Sequence, residues 1–299
     1  MNPRTIISLL AKALVVAVLL AAPATMHAQS GSGDDFDYSI NPGNPQTITI
    51  TNYTGANSVV SIPTNINSLT VSGIGNGVDS VFSSSLTSIT IPDSVTSIAA
   101  LAFSFCSSLT NVTIGNGVTN IGSAAFELCS SLSSITIPNG VTSLGSFAFD
   151  GCFKMTNVTI AQSVTNIGDG AFQGFNGPTG FYFAGNAPGN FSILLFQESA
   201  GWTVYYLPGT TGWGNTGVPA TLWNPLIQTS GSGFGISNHQ FGFNITATNK
   251  FTVVVEACSN LAKPTWTRLQ TLTLTNDSTH FSDPTWTNYS ARYYGLGYP

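Results

Sequence analysis

The sequence predicts a β-rich repeat solenoid with a 23-residue period, followed by a small antiparallel β-sandwich. The first observation is composition: charged residues make up 6% and hydrophobic residues 42%, and Ser, Thr, Asn and Gly supply the polarity, which is typical of a folded, β-rich chain. The second is a set of four similar segments that begin at residues 85, 108, 131 and 154. The third is the end of this repeat and the appearance of alternating strand patterns from about residue 236.

Each repeat places apolar residues in the same columns. The copy at 108–130 reads SLTNVTIGNGVTNIGSAAFELCS, where apolar–polar alternation around VTI predicts a strand, VTNI predicts a second short extended piece, and the AF segment predicts a helical turn. Turn residues such as GNG and PNG separate the two extended pieces. Because one unit cannot bury its apolar face alone, we expect the columns to point inward and stack. The columns are Leu86, Leu109, Leu132, Met155; Ile89, Val112, Ile135, Val158; Ile91, Ile114, Ile137, Ile160; Val95, Val118, Val141, Val164; Ile98, Ile121, Leu144, Ile167; and Phe103, Phe126, Phe149, Phe172.

The repeat motif resembles a known family. L-x-x-I-x-I-P-x-x-V-x-x-I-G-x-x-A-F-x-x-C, repeated across 85–176, is similar to the BspA-type leucine-rich repeat of bacterial and protist surface proteins, and a period of 23 lies in the leucine-rich-repeat range. The resemblance implies a leucine-rich-repeat solenoid, which we assign to 46–214, with an atypical cap at 177–214 that covers the open end of the core. It also implies a role in attachment to host proteins or to other cells.

The N-terminus predicts export. Residues 1–28 combine the basic residues Arg4 and Lys12 with an apolar run at 13–22 and small residues before a cut after Ala28, with Ala24 as the alternative cut. This pattern is typical of a cleaved secretory signal. A membrane anchor is the competing interpretation, but this run is much shorter than the ~20 residues that span a bilayer. We therefore expect a secreted or cell-surface-associated protein whose mature chain has no transmembrane segment.

The other segments are assigned from composition. Residues 29–45 are expected to be a flexible lead-in, and 215–235, rich in Gly, Ser, Thr and Pro, a linker. Residues 236–299 are expected to form the β-sandwich. With VVEACSNL at 254–261 and ARYY at 291–294, residues 240–299 resemble the short C-terminal modules of exported multi-domain proteins of environmental bacteria. The resemblance implies a module that helps secretion or surface retention, or one that only terminates the fold.

Three cysteines follow the repeat period. Cys106, Cys129 and Cys152 are each 23 residues apart, and Phe175 holds the next position. Equivalent positions on neighbouring rungs lie close enough for a disulfide, and exported proteins often form them. Three cysteines cannot all pair, and phenylalanine substitutes for the fourth, so the pattern favours buried free thiols. Cys258 stands alone in the last module and is also expected to be buried.

The charge distribution excludes two classes of partner. Between the export signal and Lys250 the chain has one basic residue, Lys154, and the net charge is −5. Nucleic-acid binding requires many Lys and Arg side chains along the phosphate backbone, and docking on anionic lipid has the same requirement. We therefore expect neither partner.

The sequence predicts no catalytic residue, no cofactor and no metal site, and hence no enzyme. It lacks G-x-S-x-G, H-E-x-x-H, C-x-x-C and P-loop patterns. Glu127 and Asp150 share a repeat position and are interpreted as exposed polar residues rather than a glycosidase pair. Neighbouring residues on a turn and a short strand diverge, so we expect a solvated hairpin instead of a triad at Asp277, Ser278, His280 and Asp283.

A surface of uncharged side chains remains as the candidate binding face. Threonine favours exposed strand positions, so strand propensity alone explains the pattern on one interpretation. On the other, the solenoid presents an extended surface to a neutral partner, either a protein or a neutral polysaccharide, and a passive envelope protein without a ligand is the alternative function. An ice-ordering surface is disfavoured because Ser and Asn interrupt the threonines. The face comprises Ser88, Thr90, Asn111, Thr113, Ser134, Thr136, Asn157 and Thr159, with Thr96, Thr119, Thr142 and Thr165 on the second extended piece; Trp202, Tyr205, Tyr206 and Trp213 form either a sugar-stacking platform or a plug.

Overall fold

The computed structural model describes residues 35–177, 179–247, 252–274 and 278–297, together with the backbone of 25–27. The predicted signal peptide therefore lies outside the described residues, apart from Thr25–His27, which pair with Asp37–Ser39 as an antiparallel strand. Among the described residues, no helix has the length and apolarity that crossing a bilayer demands.

The described chain is a β-solenoid followed by antiparallel sheets, which confirms the predicted fold class. Solenoid strands are β1 (Thr25–His27), β2 (Phe36–Asn41), β3 (Asn44–Tyr53), β4 (Val59–Ser61), β5 (Asn65–Ile66), β6 (Leu69–Ile74), β7 (Ser88–Ile91), β8 (Ser97–Ile98), β9 (Asn111–Ile114), β10 (Asn120–Ile121), β11 (Ser134–Ile137), β12 (Ser143–Leu144), β13 (Asn157–Ile160), β14 (Asn166–Ile167), β15 (Gly180–Phe183), β16 (Thr203–Tyr206) and β17 (Ala220–Leu222). The C-terminal strands are β18 (Leu226–Gln228), β19 (Gly235–Ser237), β20 (Gln240–Thr246), β21 (Thr252–Cys258), β22 (Thr267–Thr273), β23 (Ser278–Asp283) and β24 (Tyr293–Gly297), and short 3₁₀ turns occur at Ile193–Phe196, Trp213–Asn215 and Trp286–Asn288.

Each regular repeat contributes one longer and one shorter strand, as predicted. The longer strands pair in parallel with a register of one repeat, as β7 does with β9 and β11 with β13. The shorter strands β8, β10, β12 and β14 continue the sheet that contains β2, β3 and β6. The regular rungs therefore carry parallel long strands on one side and parallel short strands on a second, and the remaining side consists of turns.

The inward columns form one continuous core. The phenylalanine column stacks with ring centroids 4.8 Å apart from Phe103 to Phe126 and 5.3 Å apart from Phe126 to Phe149. Every residue of the six columns is buried except Val112, which is half-buried. Because rungs repeat at strand spacing, these rings lie nearly parallel, with interplanar angles of 3°, and stack face to face along the axis.

The AF segments form consecutive turns, and the prediction of a helical turn in these segments is wrong. Phe103 and Phe126 donate their backbone N–H groups to Ala125 and Ala148 of the next rung, both at 2.8 Å. A helix would direct these groups to carbonyls within its own segment. Main-chain bonding between rungs is thus present on the turn side too, and it satisfies the buried polar backbone.

The long-strand sheet is interrupted in the middle of the solenoid. Strands β4, β7 and β9 form one sheet, whereas β11, β13, β15, β16 and β17 form another. In the sheet of short strands, the rungs that contain β9 and β11 remain paired through β10 and β12. The half-buried Val112 lies on β9 at this interruption. No substitution in the sequence explains the interruption.

The boundaries of the solenoid differ from those expected. Residues 36–45 belong to the antiparallel pair β2–β3, whose Phe36 and Tyr38 are buried against the first rungs. This hairpin covers the apolar end of the solenoid, so residues 36–45 are ordered rather than a flexible lead-in. The expected linker 215–235 contains β17, which extends the solenoid, and β18, which begins the C-terminal module.

The C-terminal module consists of two small antiparallel sheets. Strands β18, β19 and β23 pair with β20, and β22 and β24 pair with β21. A separate apolar cluster fills the space between the sheets and includes Phe243, Ile245, Val253, Val255 and Phe281. The observed arrangement matches the predicted sandwich.

All four cysteines are free and buried, which confirms the prediction of buried free thiols. Cys129 and Cys152 donate their Sγ–H groups to the carbonyls of Phe103 and Phe126, each at 3.3 Å. Burial raises the pKa of the Cys106 thiol to about 11, so the thiol stays protonated and unreactive at neutral pH. In a later rung Ser199 replaces the cysteine as the donor to a phenylalanine carbonyl, because its hydroxyl donates to the carbonyl of Phe172 at 3.0 Å.

Candidate functional site

The candidate site is the outward surface of the long strands, called here the strand face. It carries the eight predicted residues, which the parallel register aligns into two columns. Five of the eight are exposed; Ser88, Asn157 and Thr159 are half-buried. The interruption between β9 and β11 divides the face into two halves, so the columns are not one continuous ladder.

Hydrogen bonding separates the threonines into two kinds. Immediately before the short strands, Thr119 and Thr142 donate their hydroxyls to backbone carbonyls of the preceding rung, at 3.0 and 3.1 Å. These hydroxyls link neighbouring rungs, so their protons are not available to a ligand. On the strand face, by contrast, the structure contains no side-chain hydrogen bond among the described residues for Thr90, Thr113, Thr136 and Thr159.

The other column of the strand face, Ser88, Asn111, Ser134 and Asn157, makes two side-chain hydrogen bonds through its asparagines. Asn111 donates its amide to the Ser88 hydroxyl at 3.2 Å, and Asn157 donates to Thr156 at 3.2 Å. Neither bond is buried, so a partner can replace it at little cost. The chemically free groups of the strand face are therefore mainly the threonine hydroxyls.

The C-terminal module covers the last positions of the same threonine column. Tyr182 and Tyr205 hold the positions that follow Thr159 in the parallel register. Their rings stack at 4.9 Å, and the lack of a side chain at Gly180 leaves room for the ring of Tyr182. Tyr182 is buried in the apolar cluster of the module. Burial and then the neighbouring Tyr205 raise the pKa of Tyr182, so its hydroxyl is neutral at physiological pH.

Most of the aromatic residues of the cap form a plug rather than an exposed platform. Trp213 is buried and stacks on Tyr206 at 5.5 Å, and Trp202 stacks on Phe196 at 4.4 Å. Tyr205 instead packs against the apolar cluster of the C-terminal module. These rings seal the end of the solenoid core, as terminal repeats must.

The carboxylates Glu127 and Asp150 interact electrostatically from neighbouring rungs on the turn side. Glu127 accepts a hydrogen bond from Ser104 at 3.1 Å, and both Glu127 and Asp150 are half-buried rather than fully exposed. Burial, followed by the negative charges of Glu127 and Glu198, raises the pKa of Asp150. Among the described residues, no three His, Cys, Asp or Glu side chains are grouped so that they could hold a metal ion.

Of the predicted tail residues, Asp277 lies outside the described residues, and the other three, Ser278, His280 and Asp283, lie along β23. His280 is exposed on β23, and its Nδ1 lies 2.8 Å from Asn244 Oδ1. Asp283 is buried on the other face of the same strand, because an odd separation reverses side-chain direction. Asp283 accepts a 2.6 Å hydrogen bond from Arg292 Nε, a partner that the sequence interpretation missed.

Comparisons with known proteins agree with this geometry. Residues 77–186 match the family model for the BspA type leucine rich repeat region, in six copies. The chain is similar to the crystal structure of a leucine-rich repeat protein of T. pallidum, with 24% identity over 64% of this chain and 91% of that chain, and a TM-score of 0.51. It is also similar to a leucine-rich repeat protein from Bacteroides ovatus, with 23% identity over 62% of this chain and 56% of that chain, and a TM-score of 0.43. A search of the curated proteins finds no significant match.

Proposed function

From the premise that residues 77–186 are BspA-type leucine-rich repeats, we propose that the protein is an exported, non-catalytic binding scaffold whose strand face contacts its partner. Solenoids of stacked repeats offer extended surfaces and are generally used for recognition. The observation that carries the proposal is the covered end of the threonine column, where Tyr182 and Tyr205 bind the C-terminal module. The chain itself thus uses one end of this surface as a contact surface.

The chemistry of the strand face favours a neutral partner. All eight of its residues are Ser, Thr or Asn, and the hydroxyls of Thr90, Thr113, Thr136 and Thr159 are uncommitted. Hydroxyl and amide groups at regular spacing suit a neutral polysaccharide or an uncharged polar protein surface. Adhesion at the cell surface is the role that the repeat family and the predicted signal peptide support.

A passive envelope protein is the second candidate. Threonine favours exposed strand positions for reasons of shape alone, so its abundance has an explanation without a ligand. The two candidates differ in one respect: only a binding scaffold requires the hydroxyl groups rather than the β-branched shape.

Replacing Thr113 and Thr136 with valine is the test. Valine keeps the branched shape and removes two hydroxyls, so the fold is retained while binding weakens about tenfold if the two lost hydrogen bonds contribute about 0.7 kcal/mol each. The measurement is pull-down of the full chain by insoluble polysaccharides, peptidoglycan, immobilised extracellular-matrix proteins and whole cells.

A matched control is the pair Thr267→Val and Thr271→Val, which lie exposed on β22 of the C-terminal module. The control should bind as the unmodified chain does. Capture by none of the four classes would favour the passive protein, and equal loss in the control pair would refute the strand face as the binding surface.

A further inference from the structure

The turn side of the solenoid carries large apolar side chains in solvent. Phe105 is 62% exposed and Ile193 54% exposed, and Phe147, Phe153 and Leu194 are also exposed. Soluble proteins commonly expose single apolar residues, but a group of them on one side of the solenoid, recurring at every second rung, marks an interaction surface. The turn side is defined here as the segments between the short strand of one rung and the long strand of the next, namely 99–110, 122–133, 145–156, 168–179 and 192–202.

Two of these side chains, Phe105 and Phe147, occupy backbone positions that favour glycine. One position holds Leu101, Ala124, Phe147 and Gly170 in successive rungs, with φ of 63°, 54°, 61° and 63°. A second holds Phe105, Leu128, Gly151 and Gly174, with φ of 61°, 56°, 68° and 77°. A non-glycine residue in this left-handed region costs about 1–2 kcal/mol.

Burial does not offset this cost. Glycine fits both positions elsewhere in the same chain, yet Phe105 is the most exposed of the large aromatic side chains on the turn side. Strained residues that gain nothing from the core are often retained for function. The conformational strain and the exposure therefore both indicate a contact that the isolated chain does not make.

The apolar side chains form a fixed ridge along the rungs. A side chain on Gly151 would come within 2.6 Å of Leu128 Cδ2, and one on Gly170 within 2.5 Å of Phe147 Cε1. Leu128 and Phe147 therefore lie over the glycines of the following rung. The backbone below is bonded between rungs, as in the 2.7 Å bond from the Leu128 N–H to the Asp150 carbonyl. A preformed ridge loses little entropy when a partner binds.

The charges around the ridge are almost all negative. Glu127, Asp150, Asp169 and Glu198 lie in the same segments, and Lys154 is the one basic residue of the sequence between the export signal and Lys250. A second copy of this chain would bring equal charges together, and an anionic membrane would be repelled. A partner with apolar and cationic side chains complements both features of the surface.

We propose that the turn side from Phe105 to Leu194 docks a cationic amphipathic helix of another protein. The four rung steps between these residues span about 19 Å at strand spacing, which matches a helix of about 13 residues at 1.5 Å per residue. The paired backbone of the turn side offers no strand edge, so an apolar helix face is the fitting partner. This site is separate from the strand face and goes beyond the proposed function.

Fluorescence anisotropy of a labelled amphipathic peptide of about 14 leucine and lysine residues tests the proposal on the full chain. The expected result is saturable binding that weakens as salt rises from about 50 to about 500 mM. A peptide with glutamate in place of lysine, and one with the same leucines and lysines in non-amphipathic order, should each bind at least about tenfold more weakly. Equal binding of either peptide would overturn the proposal.

Phe105→Gly combined with Phe147→Gly is the decisive variant. Glycine relieves the left-handed strain, so the melting temperature should be unchanged or higher while binding of the leucine–lysine peptide falls at least about tenfold. Val59→Ser is the control, because Val59 is 68% exposed on β4, away from the turn side, and should leave binding unchanged. Retained binding in the glycine variant, a lowered melting temperature, or an equal loss in the control would each overturn the proposal.

Discussion

Replacing Phe126 with aspartate is expected to unfold the solenoid. Phe126 is fully buried between Phe103 and Phe149 in the middle of the ring column. Truncating a buried phenylalanine costs about 3–5 kcal/mol, and an unpaired buried charge adds several more. A sum of this size is comparable with the whole stability of an ordinary domain, about 5–15 kcal/mol. Urea unfolding followed by circular dichroism measures the effect.

Phe105→Asp is the matched control for this prediction. It makes the same chemical change in the same type of turn segment, but Phe105 is exposed and its left-handed backbone is well tolerated by aspartate. The cost should therefore be within about 0.5 kcal/mol, as for other surface substitutions. A cooperative, folded Phe126→Asp variant would contradict the inward assignment of the phenylalanine column.

Replacing Asp283 with asparagine is expected to destabilise the C-terminal module strongly. Asp283 accepts hydrogen bonds from Arg292 Nε at 2.6 Å, from Tyr294 at 3.1 Å, and from the backbone N–H and hydroxyl of Thr285 at 2.8 Å each. The side chains of Asp283 and Arg292 are only 4% and 9% exposed. Asparagine leaves the buried guanidinium uncompensated, and loss of one partner from a buried pair costs about 3–5 kcal/mol.

The same group makes the module sensitive to acid. Burial pushes the pKa of Asp283 upward, but hydrogen bonds from Thr285 and Tyr294 and the charge of Arg292 outweigh it and hold the pKa below its usual value. The stabilisation is therefore complete above the unfolded pKa of about 3.9 and is lost as the pH falls through the lower, folded pKa. Asp283→Asn should remove this contribution to acid unfolding.

Glu256→Gln supplies the comparison for Asp283→Asn. Glu256 lies 3.9 Å from Arg268, whose side chain is 62% exposed. Exposed ion pairs contribute about 0–1 kcal/mol, so the urea midpoint of the module should change little. Equal midpoints for the two variants would contradict a structural role for the Asp283–Arg292 pair.

The repeated core was accessible from the sequence because one physical constraint acts at every rung. A residue such as Phe126 has identical neighbours above and below, so periodicity alone identifies the inward columns. The strand pieces and the free thiols followed from the same reasoning. The signal for the covered end of the threonine column was also present, since Tyr182 follows Thr159 by one period and departs from the small polar residues before it.

Other features depend on contacts that no local pattern encodes. The turn geometry around Phe103 arises because main-chain bonds go to the next rung instead of along the segment. The β2–β3 hairpin is ordered because it covers the end of the core, although residues 29–45, rich in Asp, Ser and Gly, have the composition of a flexible lead-in. The interruption between β9 and β11 and the partnership of Asp283 with Arg292 likewise appear only in three dimensions.

The most direct test of the account is hydroxyl-radical footprinting of the full chain, read residue by residue with mass spectrometry. The central claim is that the outward column of the long strands is a contact surface, already occupied by the C-terminal module at Tyr182. Tyr182 is 3% exposed, whereas Tyr289 is 44% exposed. We expect Tyr182 to be oxidised several-fold more slowly than Tyr289, because the C-terminal module covers it; equal oxidation rates at the two tyrosines would show that this end of the column is not covered.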